Sequence, residues 1–172
     1  REEAKTRVKA AREEFKKKLE QVKDERKKER ATRLDEQMNR LNERWTTHFT
    51  NVLNHLEDVL GKIQVRVDKA ASLGKDVSAV KTAIDAAKAA IASARTAVEA
   101  QAKKDYTVTF TSEEQLKTAF RAAKDQLHKD LTALRDGAVK AARDAVQNAA
   151  RSLGGVPKVD EEPEESTTPA PA

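Results

Sequence analysis

Apolar residues recur every three or four positions from Leu34 to Ala70, and this long spacing restricts the fold more than any other feature. It places those side chains on one face of a single α-helix about ten turns long. Such a helix is stable only if other helices cover its apolar face. The sequence therefore predicts a bundle of long helices. The apolar positions are Leu34, Met38, Leu41, Trp45, Phe49, Val52, Leu56, Val59, Leu60, Ile63, Val67 and Ala70.

A second helix is predicted after the turn at Leu73 and Gly74, with Asp76 as its N-cap. Its apolar residues repeat every seven positions, which is typical of a helix packed in a coiled coil. Ten of the residues from 83 to 102 are alanine, and their small side chains permit close packing of helices. The two heptad columns are Val77, Ile84, Ile91 and Val98, and Val80, Ala87, Ala94 and Gln101.

A third helix is predicted from the capping box of Ser112 and Gln115 to the glycines at 154 and 155. Gly137 lies within the heptad pattern without shifting its phase. We therefore predict one continuous helix, with a break at Gly137 as the alternative. The heptad columns are Phe120, Leu127, Leu134 and Ala141, and Leu131, Ala138 and Ala145.

The predicted fold class is all-α, an elongated antiparallel three-helix bundle or coiled coil. Aromatic residues make up 3% of the chain, so we expect a thin core without a deep catalytic pocket. We also expect the third helix to overshoot the top of the bundle. The predicted parts are a helical arm at 1–33, continuous with the first helix; a bundle at 34–155, with helices at about 34–73, 76–103 and 112–153 and an extended linker at 105–111; and a tail at 156–172.

The arm is strongly charged, with 14 Lys and Arg against 8 Asp and Glu, a net charge of +6. Acids that precede bases by four residues support a helix with an exposed surface. Its apolar stripe is thin, so we predict either a solvated rod or a docking helix that overhangs the bundle and contributes little to its stability. The candidate interaction residues on this stripe are Val8, Phe15, Leu19 and Val22.

Residues 106–110 alternate apolar and polar side chains, which is typical of extended backbone. The sequence has no second segment of this kind to pair with them. Two interpretations follow for the candidate interaction residues Tyr106, Val108 and Phe110. They plug the base of the bundle beside Trp45, or they form an unpaired strand that another copy of the chain completes.

The tail at 156–172 has one Lys against five acidic residues and ends in a Pro-rich sequence. Such a composition buries too little apolar surface to become ordered, so we predict an acidic, disordered tail. The opposite charges of the arm and the tail would favour head-to-tail association of copies.

The sequence offers little for catalysis or metal binding. It has no cysteine, and its histidines are His48, His55 and His128. His48 and His55 lie seven residues apart, about 10 Å along a helix, which is too far for one metal ion. His48 shares a column with Leu34 and Leu41, so we expect it to be partly buried. The acids are spread over helix faces that we expect to be exposed, so no acid pair is a candidate for catalysis, and no phosphate-binding loop or catalytic motif is present. We therefore predict a protein that is not an enzyme, with no catalytic residue, cofactor or metal.

Three segments carry a resemblance to a known group of proteins: Arg33–Trp45, Gly74–Val80 and Tyr106–Thr111. Over nearly its whole length, the chain resembles uncharacterised secreted helical, coiled-coil-like proteins of candidate-phyla bacteria. The resemblance implies an N-terminal export signal, absent from this chain, and a cell-envelope or extracellular location. It implies no activity and no functional residues.

From these features we predict a non-enzymatic structural or interaction protein of the cell envelope or extracellular space. Its helical seams are expected to bind a protein partner or a second copy of the chain. The alternative is polyanion binding, to nucleic acid or an anionic surface, through the basic arm. Nucleic acid is disfavoured because acids are interleaved with the bases and Phe15 is the only aromatic residue of the arm. No apolar run is long enough to predict a transmembrane segment.

Overall fold

The computed structural model describes residues 2–156, with the side chains of residue 6 and residues 10–156. Within this range the protein is all-α, as predicted, and no strand is present. The predicted tail beyond residue 156 and the side chain of Val8 lie outside the described residues. The helices are α1 (Glu2–Glu20), α2 (Glu25–Ser72), α3 (Ser78–Ala102), α4 (Leu116–Leu134) and α5 (Lys140–Gly154).

Helices α2, α3 and α5 form the predicted up-down-up bundle, in which α3 packs against both of the others. Close packing depends on the alanines of α3, because Ala87 and Ala94 are fully buried beside Ile84 and Ile91. All eight residues of the two predicted heptad columns in this helix are buried. The register of the second helix is therefore confirmed.

The arm is not continuous with the first helix of the bundle, which corrects the prediction. A short turn separates α1 from α2, and the Asp24 carboxylate caps α2. It accepts hydrogen bonds from the backbone N–H groups of Arg26 and Lys27, at 2.9 and 3.3 Å. These bonds satisfy two donors at the start of α2, so a new helix begins there.

Burial of its apolar stripe holds α1 against the base of the bundle. Phe15 meets the ring of Phe110 in the linker and that of Phe120 in α4, edge to face, with centroids 6.0 and 6.2 Å apart. Leu19 and Val22 are buried as well. The predicted overhang is therefore absent, and with it the reason to expect that the arm contributes little to stability.

The third helix is continuous through Gly137, as predicted, but its heptad phase shifts there. Residues Arg135–Val139 form a π-helical turn between α4 and α5. A π turn holds an extra residue, so the buried positions step by five, from Leu134 to Val139. Ala141 is exposed, and the predicted columns are wrong by one residue beyond this turn. The buried positions that follow Val139 are Ala142, Val146 and Ala149.

The linker between α3 and α4 is extended and descends beside α2 before the third helix begins. Tyr106, Val108 and Phe110 are all buried by the chain itself, which favours their interpretation as a plug at the base. Phe110 packs on Phe15, whereas the rings that contact the expected neighbour, Trp45, belong to α2.

The third helix does not overshoot the top of the bundle. Lys27 Nζ lies 2.6 Å from Glu113 Oε1, so the turn that precedes α4 is level with the start of α2. From there α2 continues from residue 27 to 72, whereas the third helix runs from 113 to 154 and is the shorter. The prediction failed because the linker lowers the starting point of the third helix.

Candidate binding groove

A buried polar joint lies where α3 ends, and it ties the linker to α2. The side-chain amide of Asn42 donates to the backbone oxygen of Gln101 at 3.2 Å. The side-chain amide of Gln101 donates to Asn42 Oδ1 at 3.0 Å and to the Tyr106 hydroxyl at 2.6 Å. All three side chains are buried, and leaving any of these groups unpaired would be costly. The joint therefore specifies where the linker leaves α3.

Asp130 extends this joint to α4. Its carboxylate accepts hydrogen bonds from the Tyr106 hydroxyl at 2.7 Å and the Gln126 amide at 2.8 Å, and it lies 2.8 Å from Lys104 Nζ. Burial opposes the ionisation of Asp130, but these bonds prevail and hold its pKa below the usual value. Burial, together with the bond to Asp130, raises the pKa of Tyr106. The Tyr106 hydroxyl therefore stays protonated and donates its hydrogen bond to Asp130.

Asp35 lies on α2 near the joint and is only partly satisfied. Its Oδ2 accepts a hydrogen bond from the Asn39 amide at 3.2 Å. Its Oδ1 is buried and has no hydrogen-bond partner in the part of the chain that the structure describes. Burial raises the pKa of Asp35, the charge of Arg12 on α1 lowers it, and the charge of Asp105 adds to the rise. Burial and the unpaired Oδ1 therefore oppose ionisation of this carboxyl group in the folded state.

Below the joint, an open groove of about 720 Å³ lies between α2 and α4. It runs from Lys27 to Leu41, a length of about 21 Å at 1.5 Å per residue. Leu34 and Leu41 remain half-buried in it, so apolar surface is accessible in the folded monomer. An apolar groove of this size with charged residues around it is the candidate binding site among the described residues. The apolar floor consists of Ala31, Leu34, Met38, Leu41, Leu116, Phe120 and Leu127.

The rim of this groove is positively charged. Five cations line it against two carboxylates, and one pair, Lys27 with Glu113, bridges its lower end at 2.6 Å. The hydrogen bond from Glu113 raises the pKa of Lys27. The other four cations are exposed and form no ion pair among residues 10–156. Those four are Arg30, Lys117, Arg121 and Lys124, and the second carboxylate is Glu114.

A second cleft, of about 570 Å³, lies higher on the same side, between α2 and α5. It is lined by His48, His55 and Arg143, among others. Both histidines are exposed, as is His128, so the expected partial burial of His48 is wrong. No three His, Asp or Glu side chains in the described range are grouped to hold a metal ion.

The residues that the sequence suggested for interaction lie elsewhere. Those that the structure describes are buried by the chain itself, and contact between Phe15 and Phe110 brings the arm and linker sets together. They form internal packing at the base of the molecule and do not offer a free surface in the described monomer. The buried candidates are Phe15, Leu19, Val22, Tyr106, Val108 and Phe110.

Sequence reasoning missed Leu34 and Leu41 because it assigned every apolar residue of α2 to the core. The available signal was the column itself, which continues from these leucines to His48 and His55. A column that ends in two exposed histidines lies at the edge of the buried face.

No known protein family, curated protein or solved structure matches this chain. None of the described helices combines the length and the apolar content needed to cross a membrane. The groove is therefore interpreted from its own chemistry.

Proposed function

We propose that this chain is a non-enzymatic interaction protein that binds a protein partner, or a second copy of itself, in the groove between α2 and α4. The observation that carries the proposal is the apolar floor, where Leu34 and Leu41 stay half-buried in the monomer. A helix laid along this groove would cover both leucines, as in other helix-in-groove complexes. The proposed location, the cell envelope or extracellular space, rests on the sequence resemblance.

The packing around the groove supports this proposal, because it holds the groove in one shape. Phe120 lines the groove on one side and packs on Phe15 of α1 on the other. The joint of Tyr106 and Asp130 connects α4 to the linker. A site that is already formed loses less conformational freedom on binding than one that must first become ordered.

Polyanion binding through the arm has less support. Four cations of α1 and of the first turns of α2 pair with acids of their own helix, among them Lys18 with Glu14 at 2.8 Å and Arg33 with Glu29 at 3.6 Å. Phosphate groups bind where cations are free to neutralise them. We therefore keep polyanion binding as the alternative.

Photo-crosslinking tests the proposal. Leu34 or Leu41 is replaced by benzoylphenylalanine, and Val65, which is 69% exposed on α2 and lines neither cleft, is replaced as the matched control. We expect discrete crosslinked species from positions 34 and 41 in the producing cells and none from position 65. Crosslinked dimers of the purified protein would identify a second copy as the occupant. Absence of crosslinks in the groove, or the same pattern at all three positions, would refute the proposal.

Fractionation of the same cells tests the location separately. Recovery of the protein with the envelope or in the medium is expected. Recovery in the cytosol would contradict the location and leave the binding proposal standing.

A further inference from the structure

We infer that the occupant of the groove is an acidic amphipathic helix of a partner protein. This inference rests on the proposed function and adds the chemistry of the partner. The floor and the rim support it independently, because the floor selects an apolar stripe and the rim selects negative charge beside that stripe.

The rim cations are distributed along the groove. Lys117, Arg121 and Lys124 follow one another at successive turns of α4, and Arg30 stands on the opposite side, on α2. Such an arrangement fits a ligand that carries negative charge at every turn, on both sides of its apolar face. A fatty acid carries one charge at one end, and it would leave most of these cations unpaired.

The dimensions of the floor match a short helix. The groove is about 21 Å long, which corresponds to about 14 residues, or four turns, of a bound helix. Leu34 and Leu41 lie seven residues apart, which is the spacing of two helical turns, and both are accessible. Helices that bind in grooves use apolar residues at the same intervals.

The acidic tail of the chain does not supply this helix. Its acids lie at residues 160–165, and Val159 is the only aliphatic residue between Val156 and that cluster's end. A segment with one valine cannot cover a floor of leucine, methionine and phenylalanine side chains. The occupant is therefore assigned to another protein, and self-association is an outcome that the test must separate.

Designed peptides provide the test. The probe is a helical 18-residue peptide with leucine at every third or fourth position and glutamate on both flanks. Two comparison peptides keep the leucines and replace all glutamates with glutamine or with lysine. Binding is measured by titration calorimetry and by the fluorescence of Trp45, which lies one turn beyond Leu41 and is the only tryptophan. We expect the glutamate peptide to bind about ten-fold more tightly than the glutamine peptide, because only glutamate can form ion pairs with the exposed rim cations.

Charge reversal in the protein provides the matched control. The triple variant Lys117→Glu, Arg121→Glu, Lys124→Glu should lose the preference for the glutamate peptide. The control variant Lys62→Glu, Lys75→Glu, Lys81→Glu changes the net charge equally at exposed positions outside the groove and should retain it. Circular dichroism of both variants confirms that each remains folded.

Each other outcome overturns the inference. Equal binding of the glutamate and glutamine peptides would show a groove without charge preference, and the proposed function would still stand. The groove would be assigned to a lipid or a polyanion if palmitate or a single-stranded oligonucleotide bound stoichiometrically and the glutamate peptide did not bind. That binding would also have to be lost in the triple groove variant. Failure of every probe, while crosslinked dimers form through position 34, would assign it to a second copy. Failure of every probe without any crosslink in the groove would refute both proposals.

Discussion

Replacement of Phe15 with Ala tests the docking of α1 directly. The side chain is 6% exposed, and its ring meets Phe110 and Phe120 at centroid distances of 6.0 and 6.2 Å. Truncation of a buried Phe to Ala costs about 3 to 5 kcal/mol. Each edge-to-face pair adds about 0.5 to 1.5 kcal/mol beyond the area it buries, which places Phe15 in the upper half of that range.

The loss of unfolding free energy on truncation of Phe15 is limited by the free energy that the docking of α1 contributes. If truncation removes more free energy than the docking of α1 supplies, α1 separates from the bundle and the remaining helices keep their own stability. We therefore expect the backbone amides of α1 to lose their protection against hydrogen exchange, while those around Ile84 and Ile91 in α3 retain it. The same truncation in a continuous bundle with one cooperative transition would reduce protection everywhere.

Thermal unfolding, followed by circular dichroism at about 222 nm, gives the magnitude. For a chain of this size about 1 kcal/mol corresponds to a shift of roughly 2 to 4 °C, so the melting temperature should fall by up to about 20 °C. Lys16→Ala is the matched control, because the Lys16 side chain is 69% exposed and its change should stay within about 0.5 kcal/mol. Equal melting temperatures and equal hydrogen exchange in α1 for the two variants would refute the docking and restore a protruding arm.

Three further predictions concern the buried face of α3 and two carboxyl groups. Ile84→Ala and Ile91→Ala remove side chains that are 1% and 2% exposed, and each should reduce the free energy of unfolding in urea by about 2 to 5 kcal/mol; values below about 1 kcal/mol would contradict the register. Asp130 has a lowered pKa in the folded state, so its ionised form contributes stability above its unfolded pKa of about 3.9, and this is lost as the pH falls through the folded pKa. Asp130→Asn should therefore destabilise the protein at pH 7 and less in acid, and a difference that does not change with pH would refute this. Asp35 has a raised pKa, so the sign reverses: its contribution is present below the unfolded pKa and lost as the pH rises through the folded pKa. Asp35→Asn should stabilise the protein at pH 7 and lose that advantage in acid. If urea unfolding showed that the variant is less stable than the wild type at pH 7, the raised pKa of Asp35 would be contradicted.

The register of the second helix could be predicted because residues within the helix itself determine it. Ile84 and Ile91 stand in one column among alanines and leave one phase for the heptad. Beyond Gly137 the same reasoning failed, because alanine occupies both competing phases, as at Ala141 and Ala142. The larger apolar residues Val139, Val146 and Leu153 mark the true phase, and three residues were too few to reveal the shift.

The break between α1 and α2 was also beyond the sequence pattern. No Gly or Pro occurs in residues 1–33, and Asp24 is one acid among eight in that segment. The stripe of Phe15, Leu19 and Val22 correctly predicted which face of α1 is apolar. Periodicity could not predict which residues cover that face, because Phe110 and Phe120 are about 100 residues away in the sequence. The groove was missed for a related reason, because periodicity marks a helix face as apolar without showing whether a neighbour covers it.

The π turn at Arg135–Val139 shifts the register of buried positions between the two halves of the third helix. Buried positions fall at 127, 131 and 134 before the turn and at 139, 142, 146 and 149 after it. Loss of one residue within the turn would let the steps of three and four continue through a regular α-helix. Loss of that one residue therefore alters the type of turn and leaves both packed faces in place. The groove-bearing end can consequently diverge in evolution, or be exchanged by design, without re-registering the alanine-rich end.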